Sequence, residues 1–178
     1  MANDWRANEV SQLQTERLIL RPFRVEDEED VLALLRNDEI KLTYMLPDFP
    51  TREAAVKLFL RIMDMSHDDA HFERAIVLGD HVIGFLNDVE IEGDMIEVGY
   101  VIHPSEKNRG YATEALTATI AELFRRGYGA VRAGFFEGNP ASGRVMEKSG
   151  MKRMEKIDEI EYRGVVHRCL YYEIRKEN

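Results

Sequence analysis

One cysteine, Cys169, stands among the 178 residues, so no disulfide can form within the chain. It sits in the apolar run Cys169-Leu170-Tyr171-Tyr172 and reads as a buried structural thiol. No apolar stretch approaches the roughly 18–20 residues of a membrane-crossing helix. The opening Met1-Ala2-Asn3-Asp4-Trp5-Arg6 has no hydrophobic signal core, and a cytoplasmic protein is expected. Positive charge is short: 24 Lys and Arg against 33 Asp and Glu leave a net charge of −9. That argues against nucleic acid, whose binders carry a basic footprint, and it suits a cationic partner such as an amine. Among five histidines only His67 and His71 stand four residues apart, with no third ligand at a recognised spacing, so no metal site is expected. Gly110 is alone between Gly99 and Gly127, which excludes a dinucleotide fingerprint, and the P-loop pattern Gly-x-x-x-x-Gly-Lys-Ser/Thr occurs nowhere. Repeats, linkers and low-complexity segments are missing as well. With 44% hydrophobic and 32% charged residues, the chain reads as a polar, unpatterned arm over 1–12 and one globular domain over 13–178.

What is present centres on residues 95–127. Met95 to Ile102 is a mostly apolar, partly β-branched strand pattern, and His103-Pro104-Ser105-Glu106-Lys107-Asn108-Arg109-Gly110 is a basic loop. Behind it Ala112, Leu116, Ile120 and Leu123 recur at helical spacing until Gly127. A strand, a basic loop with a glycine and a long helix bring backbone N–H groups and the positive end of the helix dipole together on an anion. The anion expected is a phosphate.

The rest of the chain alternates. Thr15 to Phe23 is a strand stopped at Pro22, and the acidic run Glu26 to Asp30 opens a helix, with Val31, Leu32, Leu34 and Leu35 on its buried side. These acids read as a solvated helix start. An apolar, proline-punctuated connection covers Asn37 to Pro50, and Thr51 caps a helix running to Met63. Strands follow over Phe72–Leu78, His81–Ile91 and Met95–Ile102, then Val131–Phe136. A short helix Ala141–Lys148 precedes a hairpin of Lys152–Tyr162 and Val165–Arg175 around Arg163-Gly164. The order β-α-α-β-β-β-α-β-α-β-β predicts an α/β fold around one mixed sheet.

Three segments resemble the GNAT N-acetyltransferases. Lys107-Asn108-Arg109-Gly110-Tyr111-Ala112 is similar to that family's coenzyme A pyrophosphate loop, Gln/Arg-x-x-Gly-x-Gly/Ala, with Lys at the first position. Gly110-Tyr111-Ala112-Thr113-Glu114-Ala115-Leu116 and the opening Thr15-Glu16-Arg17-Leu18-Ile19-Leu20-Arg21-Pro22-Phe23 resemble the branch of ribosomal-protein N-terminal (alanine/serine) acetyltransferases. Asn139 to Met151 is similar to the family segment Asn-x-x-Ser/Ala-x-x-x-Leu/Tyr-Glu-Lys-x-Gly-Phe. The resemblance implies a GNAT fold, a single mixed, mostly antiparallel sheet with splayed central strands flanked by helices. It implies acetyl-CoA as cofactor and transfer of acetyl to a primary amine, by direct attack in a ternary complex. The acceptor would be a protein N-terminus, for example of a ribosomal protein, or a small molecule. The connection between the first two helices would line the acceptor pocket. A non-catalytic acyl-CoA-binding or regulatory protein on the same fold is the alternative, and a homodimer through the terminal strands fits their exposed patterning.

The same resemblance assigns candidate residues. Backbone near Val101, Ile102 and His103 would hold the pantetheine amides and the thioester carbonyl. Lys107, Asn108, Arg109, Gly110, Tyr111, Ala112 and Thr113 would form the phosphate site, and Asn139, Ser142 and Arg144 would add cofactor contacts. Many relatives place a tyrosine acid where this chain has Met146, so Ser142 is the candidate to protonate the leaving sulfur. An amine is mostly ammonium at neutral pH and needs a base. Glu97 is the only charged side chain in Met95–Ile102, on one face with Gly99 and Val101, and it is the candidate. Glu159 and Glu161 are its rivals. Gly99 marks either a bulge or a close approach, or plain packing.

Overall fold

The computed structural model describes residues 12–177. The expected arm at 1–12 therefore lies, apart from Gln12, outside the described residues. The strands are β1 (Leu13–Gln14), β2 (Ile19–Arg21), β3 (Arg74–Leu78), β4 (His81–Glu92), β5 (Met95–Ile102), β6 (Ala130–Phe136), β7 (Lys152–Tyr162) and β8 (Val165–Arg175). The helices are α1 (Glu28–Leu35), α2 (Asp38–Lys41), α3 (Arg52–Ser66), α4 (Tyr111–Arg125) and α5 (Pro140–Lys148). This is the α/β fold expected, with two local departures. The expected first strand is broken by a turn in which Thr15 N–H donates to Leu18 O and Thr15 Oγ1 accepts from Leu18 N. The proline-rich connection contains α2, capped by Asn37, whose side chain accepts from Ile40 N.

All strands join one sheet in the order β1-β2-β3-β4-β5-β6-β8-β7. Every neighbouring pair is antiparallel except β5 and β6, which are joined through α4 and run parallel. Alternation sends successive side chains to opposite faces. One face carries Leu18, Leu20, Ile76, Leu86, Ile96, Val98, Val131 and Ala133, packed on Leu116, Ile120 and Leu123 of α4 and Met146 of α5. The other carries Ala75, Val77, Phe85 and Val101, packed on Leu34 and Leu35 of α1 and Phe59 of α3. Fully burying one such side chain is worth about 1.5–3 kcal/mol, so each helix is held by its apolar stripe.

The acids at the start of α1 are not simply solvated. Asp27 is buried and takes two hydrogen bonds from Arg21, at 2.7 and 2.8 Å, and one from Arg24 N. Asp30 accepts from Val82 N, while Glu28 and Glu29 pair with Arg52. The run thus ties α1 to the sheet and to α3. Among the described residues no helix is long and apolar enough to cross a membrane, and no group of three or more His, Cys, Asp or Glu could hold a metal ion. His67 bonds Phe23 O and His71 bonds Asp88, so this spaced pair serves two separate contacts.

Candidate active site

The sheet opens between β5 and β6. Their pairing covers only Met95↔Ala130, Ile96↔Val131 and Glu97↔Arg132. Beyond Glu97, β5 continues along β4 to Gly84↔Ile102, while β6 follows β8 to Phe136↔Cys169. His103 N donates to Ile83 O at 2.7 Å, and alternation therefore turns the N–H and C=O groups of Ile102, Tyr100 and Val98 into the opening. Of the three residues expected to present backbone there, Ile102 does so. Val101 and His103 direct theirs to β4, and Tyr100 takes the open position instead. Gly84 keeps this stretch close-packed, because a Cβ on it would stand 2.1 Å from Val101 O.

A cleft of about 380 Å³ runs through this opening. At one end lie the loop residues Lys107, Asn108 and Gly110 with Tyr111, Ala112 and Thr113 at the start of α4. Asn108 and Gly110 have left-handed backbones, φ 63° and 83°, which only glycine adopts without cost and Asn tolerates. The first intrahelical bond of α4 runs from Glu114 N to Gly110 O, so the N–H groups of the first turn remain for an anion. The acidic side chain of this turn, Glu114, is neutralised from β1–β2: it accepts from Thr15 Oγ1 (2.6 Å), Arg17 N (2.8 Å) and Arg17 Nε (2.7 Å). Burial raises its carboxyl, but the bonds from Thr15 and Arg17 outweigh that and leave it below the usual carboxylate range. Arg17 also donates to Arg109 O at 2.9 Å and lies over the Tyr111 ring. Sequence reading did not single out Arg17; the two motifs that contain it and Glu114 are halves of one contact.

The loop cations are partly committed elsewhere, Lys107 to Glu39 at 2.6 Å and Arg109 to Glu106 at 3.1 Å. Arg144 and Lys148 of α5 also line the cleft, and neither has an ion pair among the described residues. Lys148 was not anticipated, although its spacing of four from Arg144 puts both on one side of α5.

Further into the cleft, Ser142 is half-buried at the start of α5. Its Oγ accepts from Asn139 Nδ2 at 3.0 Å, leaving its own proton to point elsewhere. Tyr100 donates to Ser142 O at 3.0 Å, and burial pushes its phenol up. Met146 is only 1% exposed, inside the core and off the cleft lining. Glu97 is buried, and its side-chain carboxyl accepts no hydrogen bond from any described residue. Desolvation raises its carboxyl, with Lys156 and Arg132 opposing. It adjoins the cleft through Gly99, two residues on along the same face, and does not line it. Glu159 and Glu161 are exposed on the edge strand β7 and also stand off the cleft.

The opposite end is closed by Ile40 of α2 and by Thr43 and Tyr44 from the α2–α3 connection. At Gly99 there is no bulge, since the register shift lies at Asp88/Glu90. The close approach comes from Tyr44, whose Oη would be 2.6 Å from a Cβ on Gly99. The connection is pinned by the β7–β8 turn: Tyr162 Oη donates to Leu46 O (3.1 Å) and accepts from Leu46 N (3.3 Å), and Arg163 pairs with Asp48 at 2.7 Å.

A protein-family model described as "Acetyltransferase (GNAT) domain" matches residues 17–152. A curated relative, named as an uncharacterized N-acetyltransferase, YoaA of Bacillus subtilis (strain 168), is 27% identical over 147 residues, covering 79% of this chain and 82% of YoaA. The solved acetyltransferase (GNAT family) from Bacillus anthracis superposes with a TM-score of 0.80 at 25% identity, over 93% of this chain and 98% of that one. RimL, a ribosomal L7/L12 alpha-N-protein acetyltransferase solved in complex with coenzyme A, superposes with a TM-score of 0.79 at 19% identity, over 93% and 98%. At that identity the likeness to RimL concerns the fold.

Proposed function

The chain belongs to the GNAT acetyltransferase family, and on that premise we propose that it transfers acetyl from acetyl-CoA directly to a primary amine. The acceptor class is a protein N-terminal α-amino group, as the name of RimL gives for that enzyme, or a small-molecule amine. One observation carries the reading. The unpaired edge of β5 leads from an anion-binding helix start to a separate polar end on the other face of the sheet.

The residues fit coenzyme A. The left-handed Gly110, the free N–H groups of the α4 first turn, and Arg144 and Lys148, without ion pairs among the described residues, suit phosphates. The open backbone groups of Tyr100 and Ile102 suit an amide-bearing arm. When bound, acetyl-CoA supplies the acyl group as a thioester. Ile102 N–H is then the fixed donor for charge developing on a carbonyl oxygen. Ser142 Oγ holds the proton assigned to the departing sulfur, with Asn139 orienting it. Glu97 is the base assigned to the ammonium. Its burial, the absence of bonded donors and its raised carboxyl support that role, and its place beside the cleft requires one bridging water. The net charge of −9 favours a cationic acceptor over an anionic one.

Release of free thiol from acetyl-CoA, measured over a panel of N-terminal peptides, amino acids, polyamines and aminoglycoside-like amines, tests the proposal. Turnover is expected with at least one primary amine and with none of the N-acetylated counterparts. Tight acetyl-CoA binding by calorimetry with no thiol release from any member would sink it and leave a binding protein.

A further inference from the structure

The acceptor end of the cleft has a directional hydrogen-bonding group that no step above uses. Tyr44 and Thr43 are its polar side chains. Thr43 Oγ1 turns back to Ile40 O at 3.5 Å. Tyr44 reaches across Gly99 and donates its phenolic proton to Asn87 Oδ1. The Asn87 amide is oriented by its own Nδ2, which donates to Asp88 O at 3.1 Å, so Oδ1 is the atom offered to Tyr44. The ring packs edge-on against Phe85, with centroids 5.6 Å apart. With its proton spent on Asn87, the oxygen of this cleft-lining tyrosine has only lone pairs left to offer.

Behind this oxygen stands Glu73. The register Arg74↔Leu86, taken one step on, sets Glu73 opposite Asn87, which itself pairs with Gly99. Glu73 is 6% exposed, and its side-chain carboxyl accepts no hydrogen bond from any described residue. Burial first, and then the Glu73 carboxyl when it is ionised, hold the Tyr44 phenol well above its ordinary range. The phenol therefore keeps its proton and serves as an oriented acceptor.

We propose that Tyr44 Oη is the seat of the acceptor's amine, taking one N–H of a primary ammonium or amine, with Asn87 and Glu73 as positioning residues. The inference rests on the acetyl-transfer reading and specifies the acceptor half of it. A seat that only accepts hydrogen bonds selects an N–H donor and rejects a carbonyl or a carboxylate, which would face lone pair against lone pair. A cationic donor is selected most strongly once the Glu73 carboxyl ionises as pH rises through about 8.

The test compares wild type, Tyr44→Phe and Gly99→Ala, the last of which displaces the phenol without removing it. Calorimetry on CoA-loaded protein uses trialanine and 1,4-diaminobutane, each against its N-acetylated form. Wild type should bind at least one free amine tenfold or more tighter than its acetylated form. That ratio should fall to near one in both variants, with CoA affinity within twofold of wild type. In thiol-release assays the same variants should raise the acceptor KM about tenfold. Glu73→Gln should raise it by a smaller factor, with the acetyl-CoA KM unchanged. An unaltered binding ratio in Tyr44→Phe overturns the seat, as does a wild type that distinguishes neither amine from its acetylated form. Failure of the acetyl-transfer reading shows separately, as a wild type that discriminates amines yet releases no thiol. Thermal melts confirm that the variants are folded.

Discussion

The two ends of the cleft are built differently. The anion end uses backbone: the left-handed Asn108 and Gly110, and the first-turn N–H groups of α4, all within a few residues of one another. The acceptor end uses side chains from three separate segments, Tyr44 from a connection, Glu73 before β3 and Asn87 on β4, gathered over the bare backbone of Gly99 on β5. A backbone cradle depends on local conformation and tolerates change around it. A side-chain seat depends on register between distant strands, and one residue's shift turns every group to the other face.

The sharpest way to break the comparison is at the assigned base. Glu97→Gln is expected to lower kcat by roughly 10²–10⁴-fold with acetyl-CoA binding little changed, and the loss should shrink at high pH where solvent delivers free amine. Ser142→Ala should slow turnover without that alkaline rescue, because the sulfur still has to leave. A pH–rate profile of both at saturating acetyl-CoA checks this. A Glu97→Gln enzyme with wild-type rates across neutral pH ends its candidacy.

Next comes the backbone cradle. Gly110→Val places a β-branched residue at φ 83°, a conformation costing about 1–2 kcal/mol, and a Cβ there would crowd Arg17 Nη2 at 3.2 Å. The loop should shift to relieve this and raise the CoA Kd by at least about tenfold, or ~1.4 kcal/mol. A folded Gly110→Val that binds CoA like wild type contradicts the phosphate-site assignment.

The side-chain end should instead show its cost in stability. Burial, with the neighbouring Asp88, pushes the Glu73 carboxyl up to about 8 from its ordinary 4.5, and Arg74 opposes only in part. The folded protein then holds a proton that the unfolded chain has released between these values. The contribution of Glu73 to stability is full below about 4.5 and is lost as pH rises through about 8. Glu73→Gln should flatten that decline, with a Tm above wild type at pH 9 by roughly 2–4 °C for each kcal/mol relieved. Scanning calorimetry from pH 4 to 9 decides, and parallel Tm curves for the two proteins would refute it. A variant that is more stable and binds acceptor less well is the signature of a charge kept for function.

The smallest effect is expected at Arg17. It supports the cradle from outside through an exposed ion pair, worth about 0.2–1 kcal/mol. Arg17→Ala should weaken CoA by at most about fivefold, and a loss as large as that of Gly110→Val would make Arg17 a direct ligand.

Sequence alone was enough for whatever rests on neighbours along the chain. The strand, basic loop and helix over 95–127 follow from periodicity and one glycine, because their hydrogen bonds and dipole are local. Alternation in the strands likewise announced one mixed sheet. Tertiary structure decided what depends on pairing. It placed β8 between β6 and β7, and it parted β5 from β6 after Glu97. It sent Glu159 and Glu161 to the surface of an edge strand, and it turned Ile102 and Tyr100, not Val101, into the opening. It also brought Arg17 to Glu114 across 97 residues and Tyr44 to Asn87 across 43. A residue's type and spacing say which face of its own strand it takes. Only the register with strands far away in sequence says what stands beside it there.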